Sequence, residues 1–245
     1  MTTRLFALVL LASALPAQPI ERRYLPPQNW LTHDRDNTGQ RFSPLRQIHT
    51  GNVHSLVMQW SFQFNPLPTR SQATPLVRDG VMYLTVGGES AFALDARTGR
   101  RLWHYRYRFK PEGSTTNWNR GFALHGDHLF MVTADAHLIA LDARNGSLLW
   151  DSVLADPTQN YGATAAPLIV KDRVIVGNAG GDSGTRGFLD AYQVGTGERL
   201  WRFYTIPAPG EPGSETWPQN DSWKGGGGAT WTTGTYDPDL NLLYW

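Results

Sequence analysis

Short apolar runs alternate with turn signals along most of this chain, and their order repeats. The first unit reads Thr74 to Val77, an Asp79-Gly80 turn, Val81 to Val86, and a turn at Gly87-Gly88-Glu89-Ser90. It continues with Ala91 to Asp95, a Thr98-Gly99 turn and Arg101 to Tyr107. Asp-Gly between two apolar runs is a strong hairpin signal, and short runs bounded by Gly, Asn and Asp read as strands. The pattern predicts four short antiparallel strands per unit. The order returns with Gly126-Asp127 at the first turn and Asn145-Gly146 at the last, and again from Ala165 with Lys171-Asp172 at its first turn. No segment past residue 20 sustains the 3.6-residue apolar period of a helix.

Three stretches inside these units are nearly the same eleven residues: ALDARTGRRLW (Ala93 to Trp103), ALDARNGSLLW (Ala140 to Trp150) and AYQVGTGERLW (Ala191 to Trp201). With Trp60, their tryptophans recur every 43 to 51 residues. A recurrence at this period means one supersecondary unit per repeat, stacked on its neighbours to bury a shared core. Four-stranded units at this spacing predict an all-β chain built of β-propeller blades. Each repeat Trp is expected to lie flat between blades, because an indole fills a large gap and its N–H can bond a neighbouring carbonyl. These tryptophans are architecture.

Composition narrows the function. Twenty-two basic and 21 acidic residues give a net charge of +1, which offers no electrostatic footprint for nucleic acid. The absence of cysteine excludes disulfides, thiolate chemistry and a c-type haem attachment within these residues. Residues 1–17 read as a secretory signal: Arg4, the apolar run Leu5 to Leu15, then small residues, with cleavage after Ala14 or Ala17. That run is too short to span a bilayer, so the expectation is an exported, periplasmic protein with no membrane span after cleavage. Residues 18–245 then form a partial propeller. Three complete units with a start and an end do not close a ring of the usual 4–8 blades. The sequence stops at the apolar run Leu243-Tyr244-Trp245, so the remaining blades are expected beyond it. An open arc also leaves an unpaired blade edge, a template for self-association.

Candidate chemistry lies where the units stop agreeing. The loop between second and third strands is short in the first two units. In the third it swells to Asn178-Ala179-Gly180-Gly181-Asp182-Ser183-Gly184-Thr185-Arg186-Gly187. Glycines at that density let backbone approach a ligand closely. A hard cation would want Asp182, an anion would want Arg186 or nearby amides, and an internal Asp182–Arg186 pair is the plainer alternative. A second departure is Gly225-Gly226-Gly227-Gly228-Ala229-Thr230-Trp231, where the glycines leave room for something flat on Trp231 or Trp231 is one more interblade indole. Asn119-Arg120-Gly121, opening the second unit, is a third, with a surface charge as its ordinary reading.

These residues carry a resemblance. The repeats, with NWLTHDRDNTGQRFSPL, SQATPLVRDGVMYL, NWNRGFAL, GNAGGDSGTRGF, WRFYTIPAPGEPGSETW and GGGGATWTTGTYDPDLNLLYW, are similar to pyrroloquinoline-quinone-dependent alcohol dehydrogenases, the methanol and ethanol dehydrogenase group of eight-bladed quinoprotein propellers. The likeness runs in order from Asn29 to Trp245, and about the first three to four blades would be present. The tryptophan repeats are shared with non-enzymatic propellers; the combination of NRG, the Gly-rich acidic loop with RGF, and GGG-x-x-W is far more specific. The resemblance implies a quinone lying on Trp231, with Arg120 and Thr164 at its oxygens, Gly180 and Gly181 beside it, and Asp182 as a ligand of a cofactor-bound Ca2+ or lanthanide. The metal would act as a Lewis acid on the quinone carbonyl that receives hydride from an alcohol, and a periplasmic acceptor such as a cytochrome c would take the electrons.

Several positions depart from the family pattern. Asp182 stands where a Glu is usual, Gln72 replaces a Glu and Ala229 a Thr, and Ser114-Thr115 occupies the place of an adjacent Cys-Cys pair that covers the quinone in methanol-type enzymes. The motif carrying an Asn metal ligand and the catalytic aspartate are both expected beyond Trp245. No catalytic residue is therefore assigned in this chain, and turnover by it alone is not expected. Two rival readings are a non-catalytic propeller scaffold in envelope assembly, which has no reason to keep both the Asp182 loop and GGGG-x-x-W, and a quinone-dependent sugar or polyol dehydrogenase.

Overall fold

The computed structural model describes residues 25–64, 70–87, 89–109, 118–218 and 220–245. The signal reading over residues 1–17 and the Ser114-Thr115 pair lie outside them. A first strand, β1 (Arg70–Thr74), leads into a four-stranded antiparallel sheet of β2 (Leu76–Arg78), β3 (Val81–Val86), β4 (Ser90–Asp95) and β5 (Arg101–Arg106), in that spatial order. A second lead-in, β6 (Trp118–Gly121), opens a sheet of β7 (Ala123–His125), β8 (His128–Val132), β9 (His137–Asp142) and β10 (Leu148–Val153). The third sheet is β11 (Leu168–Val170), β12 (Arg173–Gly177), β13 (Phe188–Gln193) and β14 (Arg199–Tyr204). A hairpin of β15 (Thr235–Asp237) and β16 (Leu242–Tyr244) follows. Every unit of the sequence pattern is thus a four-stranded meander, and all helical turns among the described residues are short 3-10 segments.

Burial explains why the alternating signal fades in the third strand of each unit. All six residues of β9 are buried, whereas β10 alternates between exposed and half-buried positions. A strand covered on both faces by neighbouring sheets needs apolar residues at every position, as a buried parallel strand does. The cores lie between sheets. Tyr83, Ala93 and Trp103 of the first pack with Leu129, Met131 and Ile139 of the second. Phe130, Val132 and Leu138 of the second pack with Val174, Val176 and Phe188 of the third.

The repeat motif works across units. Trp60 Nε1 donates to Ala96 O at 3.2 Å, Trp103 Nε1 to Ala143 O at 2.9 Å, and Trp150 Nε1 to Val194 O at 3.0 Å. Each ring also lies on the glycine that turns the next unit. A Cβ at Gly146, where φ is +75°, would stand 2.6 Å from the Trp103 ring, and the same relation joins Trp60 to Gly99 and Trp150 to Gly197. The Trp and the Gly of one eleven-residue stretch thus serve different seams. Trp201, on the far face of the third sheet, is 40% exposed.

Because the strands in each sheet are antiparallel, the hairpin turns and the Trp-bearing turns fall at one end. The lead-in segments and the loops between second and third strands fall at the other. The lead-in segments bond to one another there: β1 pairs in parallel with β6, and Arg120 N donates to Thr164 O at 3.1 Å. The repeat pattern contains no sign of this pairing, which joins residues from different units.

Candidate cofactor site

Arg120, Thr164 and Trp231 lie just ahead of β7, β11 and β15, the first strands of three successive sheets, and the lead-in segments bring them into contact. Arg120 Nη1 donates to Thr164 O at 3.3 Å and Trp231 O at 3.4 Å. Thr164 Oγ1 donates to Trp231 O at 3.1 Å. The Arg120 guanidinium carbon stands 4.7 Å from the centroid of the Trp231 ring. Arg120 is no ordinary surface charge: burial lowers its pKa from the usual guanidinium value, though arginine stays protonated across the physiological range. Thr164 is 5% exposed, while Trp231 keeps 49% of its surface open. Trp231 differs from the interblade indoles: its ring stands beside the Arg120 guanidinium with half its surface open.

Asparagines hold these segments in place. Asn119 is fully buried: Oδ1 accepts from Thr85 Oγ1 at 2.5 Å and Gly121 N at 2.8 Å, and Nδ2 donates to Val132 O at 2.9 Å. The residue carrying the guanidinium is therefore flanked by a side chain bonded to two neighbouring strands. Asn178 does the same at the root of the long loop. Its Oδ1 accepts from Phe188 N at 2.7 Å, and its Nδ2 reaches Ala179 O and Arg186 O, both at 3.3 Å. Neither was singled out as a site residue from the sequence. The available signal was an Asn adjoining an apolar strand, a position where Asn is depleted unless its amide serves the backbone.

The two glycine-rich stretches pack on each other, while Gly225, Gly227 and Gly228 keep exposed surface. Gly227 N donates to Gly181 O at 3.2 Å, Arg186 bridges in parallel to Gly227, and Asn178 N donates to Thr230 Oγ1 at 3.1 Å. A Cβ at Gly187 would stand 2.1 Å from Gly228 O, so backbone passes where any side chain would collide. Gly180 and Gly181 open a 3-10 turn, Gly181–Ser183, that carries Asp182. Their carbonyls are spent inside the fold: Gly180 O accepts from Ser183 N at 2.8 Å and from Thr185 N at 3.2 Å.

Asp182 is exposed. The alternative of an internal pair with Arg186 fails, because Arg186 binds Glu211 through Nη2 and Ile206 O at 2.7 Å through Nε. The Glu211 carboxyl is held below the usual range by the Ala208 N–H and then by Arg186. Arg186 is accordingly committed and does not await an anionic ligand. Among the described residues no three His, Asp or Glu side chains gather to hold a metal; Asp182 is the one carboxylate that the 178–187 loop offers. Gln72 is exposed in β1, and the methyl of Ala229 faces Gly181.

β-Sheets that gather a half-open indole, a guanidinium and a hydroxyl at their loop end define a propeller with a candidate ligand site on that face. The chain belongs to the family described as glucose/ethanol/alcohol dehydrogenase, beta-propeller domain, whose profile matches residues 30–245 and carries the label PQQ. It is 42% identical over 232 residues to the quinohemoprotein alcohol dehydrogenase ADH IIB of Pseudomonas putida, covering 88% of this chain and 33% of that protein. It is 40% identical over 237 residues to the quinoprotein alcohol dehydrogenase PedH of Pseudomonas putida, covering 89% and 40%. Among solved structures it is similar to a europium-containing methanol dehydrogenase, with TM-score 0.82, 34% identity, and 89% and 42% of the two chains covered. The chain therefore spans a third to two fifths of these relatives' length.

The residues present suit a flat polyanionic quinone: an open aromatic face, a cation beside it and a buried hydroxyl, with a carboxylate on the glycine-rich loop for a hard cation.

Proposed function

We propose that this chain forms one side of the cofactor site of an exported dehydrogenase that uses pyrroloquinoline quinone to oxidise an alcohol to an aldehyde. The observation that carries the reading is the contact of Arg120, Thr164 and Trp231 from three lead-in segments. When bound, the quinone supplies the acceptor for the hydride that leaves the alcohol carbon. Trp231 would give it a flat apolar floor, and Arg120 would offer charged N–H donors to its oxygens. Thr164 would add a hydroxyl, and Asp182 a hard oxygen ligand for Ca2+ or a lanthanide. The europium-containing relative supports keeping both metals. Asp is one methylene shorter than the Glu usual in the family, so the metal would sit closer to the loop backbone.

Oxidation also needs a base within hydrogen-bond reach of the alcohol proton. Among the described residues no carboxylate or imidazole is bonded to the Arg120–Thr164–Trp231 group. The base is proposed to lie in the portion of the enzyme that corresponds to the rest of its relatives' length. Export and a periplasmic setting rest on Arg4 and the Leu5 to Leu15 run. Among the described residues no helix is long and apolar enough to cross a membrane. The proposed acceptor is a periplasmic electron carrier such as a cytochrome c; these residues hold no cysteine and so attach no haem of the c type themselves.

A tryptophan fluorescence titration with the quinone and Ca2+ tests the site. Residues 18–245 should show weak saturable quenching, which Trp231→Ala abolishes and Arg120→Ala weakens at least tenfold. Quenching that ignores both substitutions would overturn the site. In a dye-linked assay the same protein should give no turnover, and clear turnover would overturn the placement of the base.

A further inference from the structure

We infer that Arg186 is a positioning residue for Asp182, tying the 178–187 loop to the segment 204–223 so that the carboxylate is presented at one place. The inference rests on the proposed role of Asp182 as a metal ligand. Asp182 sits on a turn bounded by Gly180 (φ 102°) and Gly184 (φ 85°), backbone conformations that leave the turn little side-chain anchorage of its own. Its carboxylate is exposed and makes no ion pair among the described residues. The turn itself is held by Gly227 N donating to Gly181 O at 3.2 Å and Asn160 Nδ2 to Ser183 O at 3.3 Å, and the side-chain tie to the segment 204–223 comes at Arg186, whose side chain is 12% exposed. Nε donates to Ile206 O at 2.7 Å, Nη2 binds Glu211, and the guanidinium carbon lies 3.7 Å from the Tyr204 ring centroid and 5.1 Å from that of Trp223. Its amide N donates to Tyr161 Oη at 3.2 Å. Glu211 is itself fixed, accepting from Ala208 N at 2.8 Å.

Every side-chain contact of Arg186 reaches outside the Asp182 loop. Only a planar fork that also stacks on aromatic faces can make all of them together, which lysine cannot do. A site with one carboxylate of its own depends strongly on where that carboxylate is held, and groups that orient a ligand are worth about 10–100-fold in metal affinity.

The test uses residues 18–245 with Tb3+ as the probe. Two quantities are read: Trp-sensitised Tb3+ luminescence, and hydrogen–deuterium exchange of the 179–185 amides. Asp182→Asn should remove the saturable luminescence. Arg186→Gln should raise the Tb3+ half-saturation about 10–100-fold and speed exchange of the loop, with exchange in β8 and β9 unchanged. Arg186→Lys should lie between, because charge returns without the fork. If Arg186→Gln fails to fold, Glu211→Gln carries the test, with faster loop exchange and a smaller, severalfold loss of Tb3+ affinity. Luminescence that Asp182→Asn removes but the Arg186 and Glu211 variants leave unmoved would overturn the positioning role alone. Luminescence that Asp182→Asn leaves intact would overturn the ligand reading and the positioning role with it.

Discussion

Glycine and tryptophan meet at both ends of these sheets, and they do opposite things there. At the hairpin end an indole lies flat on a glycine of the next unit and bonds its backbone, three times over in the same way. At the loop end glycine packs on glycine, Gly187 against Gly228 and Gly181 against Gly227, while Trp231 keeps half its surface open beside Arg120. The first arrangement repeats because every seam between sheets has the same gap to fill. The second is found once among the described residues, as a single candidate ligand site would require. Repetition of a residue type therefore marks architecture here, and its irregular use marks the site.

Substitutions at the two ends should separate these roles. Trp103→Ala should have the largest effect on stability, about 3–5 kcal/mol, because it empties a seam and orphans the Ala143 carbonyl; urea melts would show it, and a loss below about 1 kcal/mol would contradict the seam. Gly187→Ala should cost about 1–3 kcal/mol, since its Cβ meets the Gly228 carbonyl, and should also abolish quinone quenching by parting the two loops. Gly126→Ala is the matched control. Its φ is +55° but nothing lies within 4 Å, so only backbone strain of about 1 kcal/mol is expected, with quenching intact. Trp231→Ala should move the melt least, by about 0.5 kcal/mol, yet remove the quinone signal. A large stability loss there would return Trp231 to the seam class.

Much of the candidate site could be read from residues that break the repeat. The ten-residue insertion at Asn178 to Gly187 and the NRG triplet stood out against the blade template, and the resemblance attached roles to Arg120, Thr164, Trp231 and Asp182. What spacing left open was which of them touch. Arg186 and Asp182 share a loop and looked as able to pair with each other as with anything else. The partner of Arg186 proved to be Glu211, in a different loop, because the 3-10 turn and the strand that follows direct the two side chains apart. The roles of Asn119 and Asn178 within those stretches were not legible, because a buried amide that serves backbone looks, in sequence, like any loop asparagine.

The amino-acid order by itself determined the strands, their turns and the period of the units. Those depend on side-chain alternation, on Gly and Asn at tight turns, and on a large apolar ring at a fixed place in each repeat, all local properties. Only the tertiary structure decided that each Trp serves the Gly of the next unit, that the two glycine stretches close on each other, and that three lead-in segments meet at Arg120. Those contacts join residues far apart in the chain, and what selects them is the space left when neighbouring sheets pack.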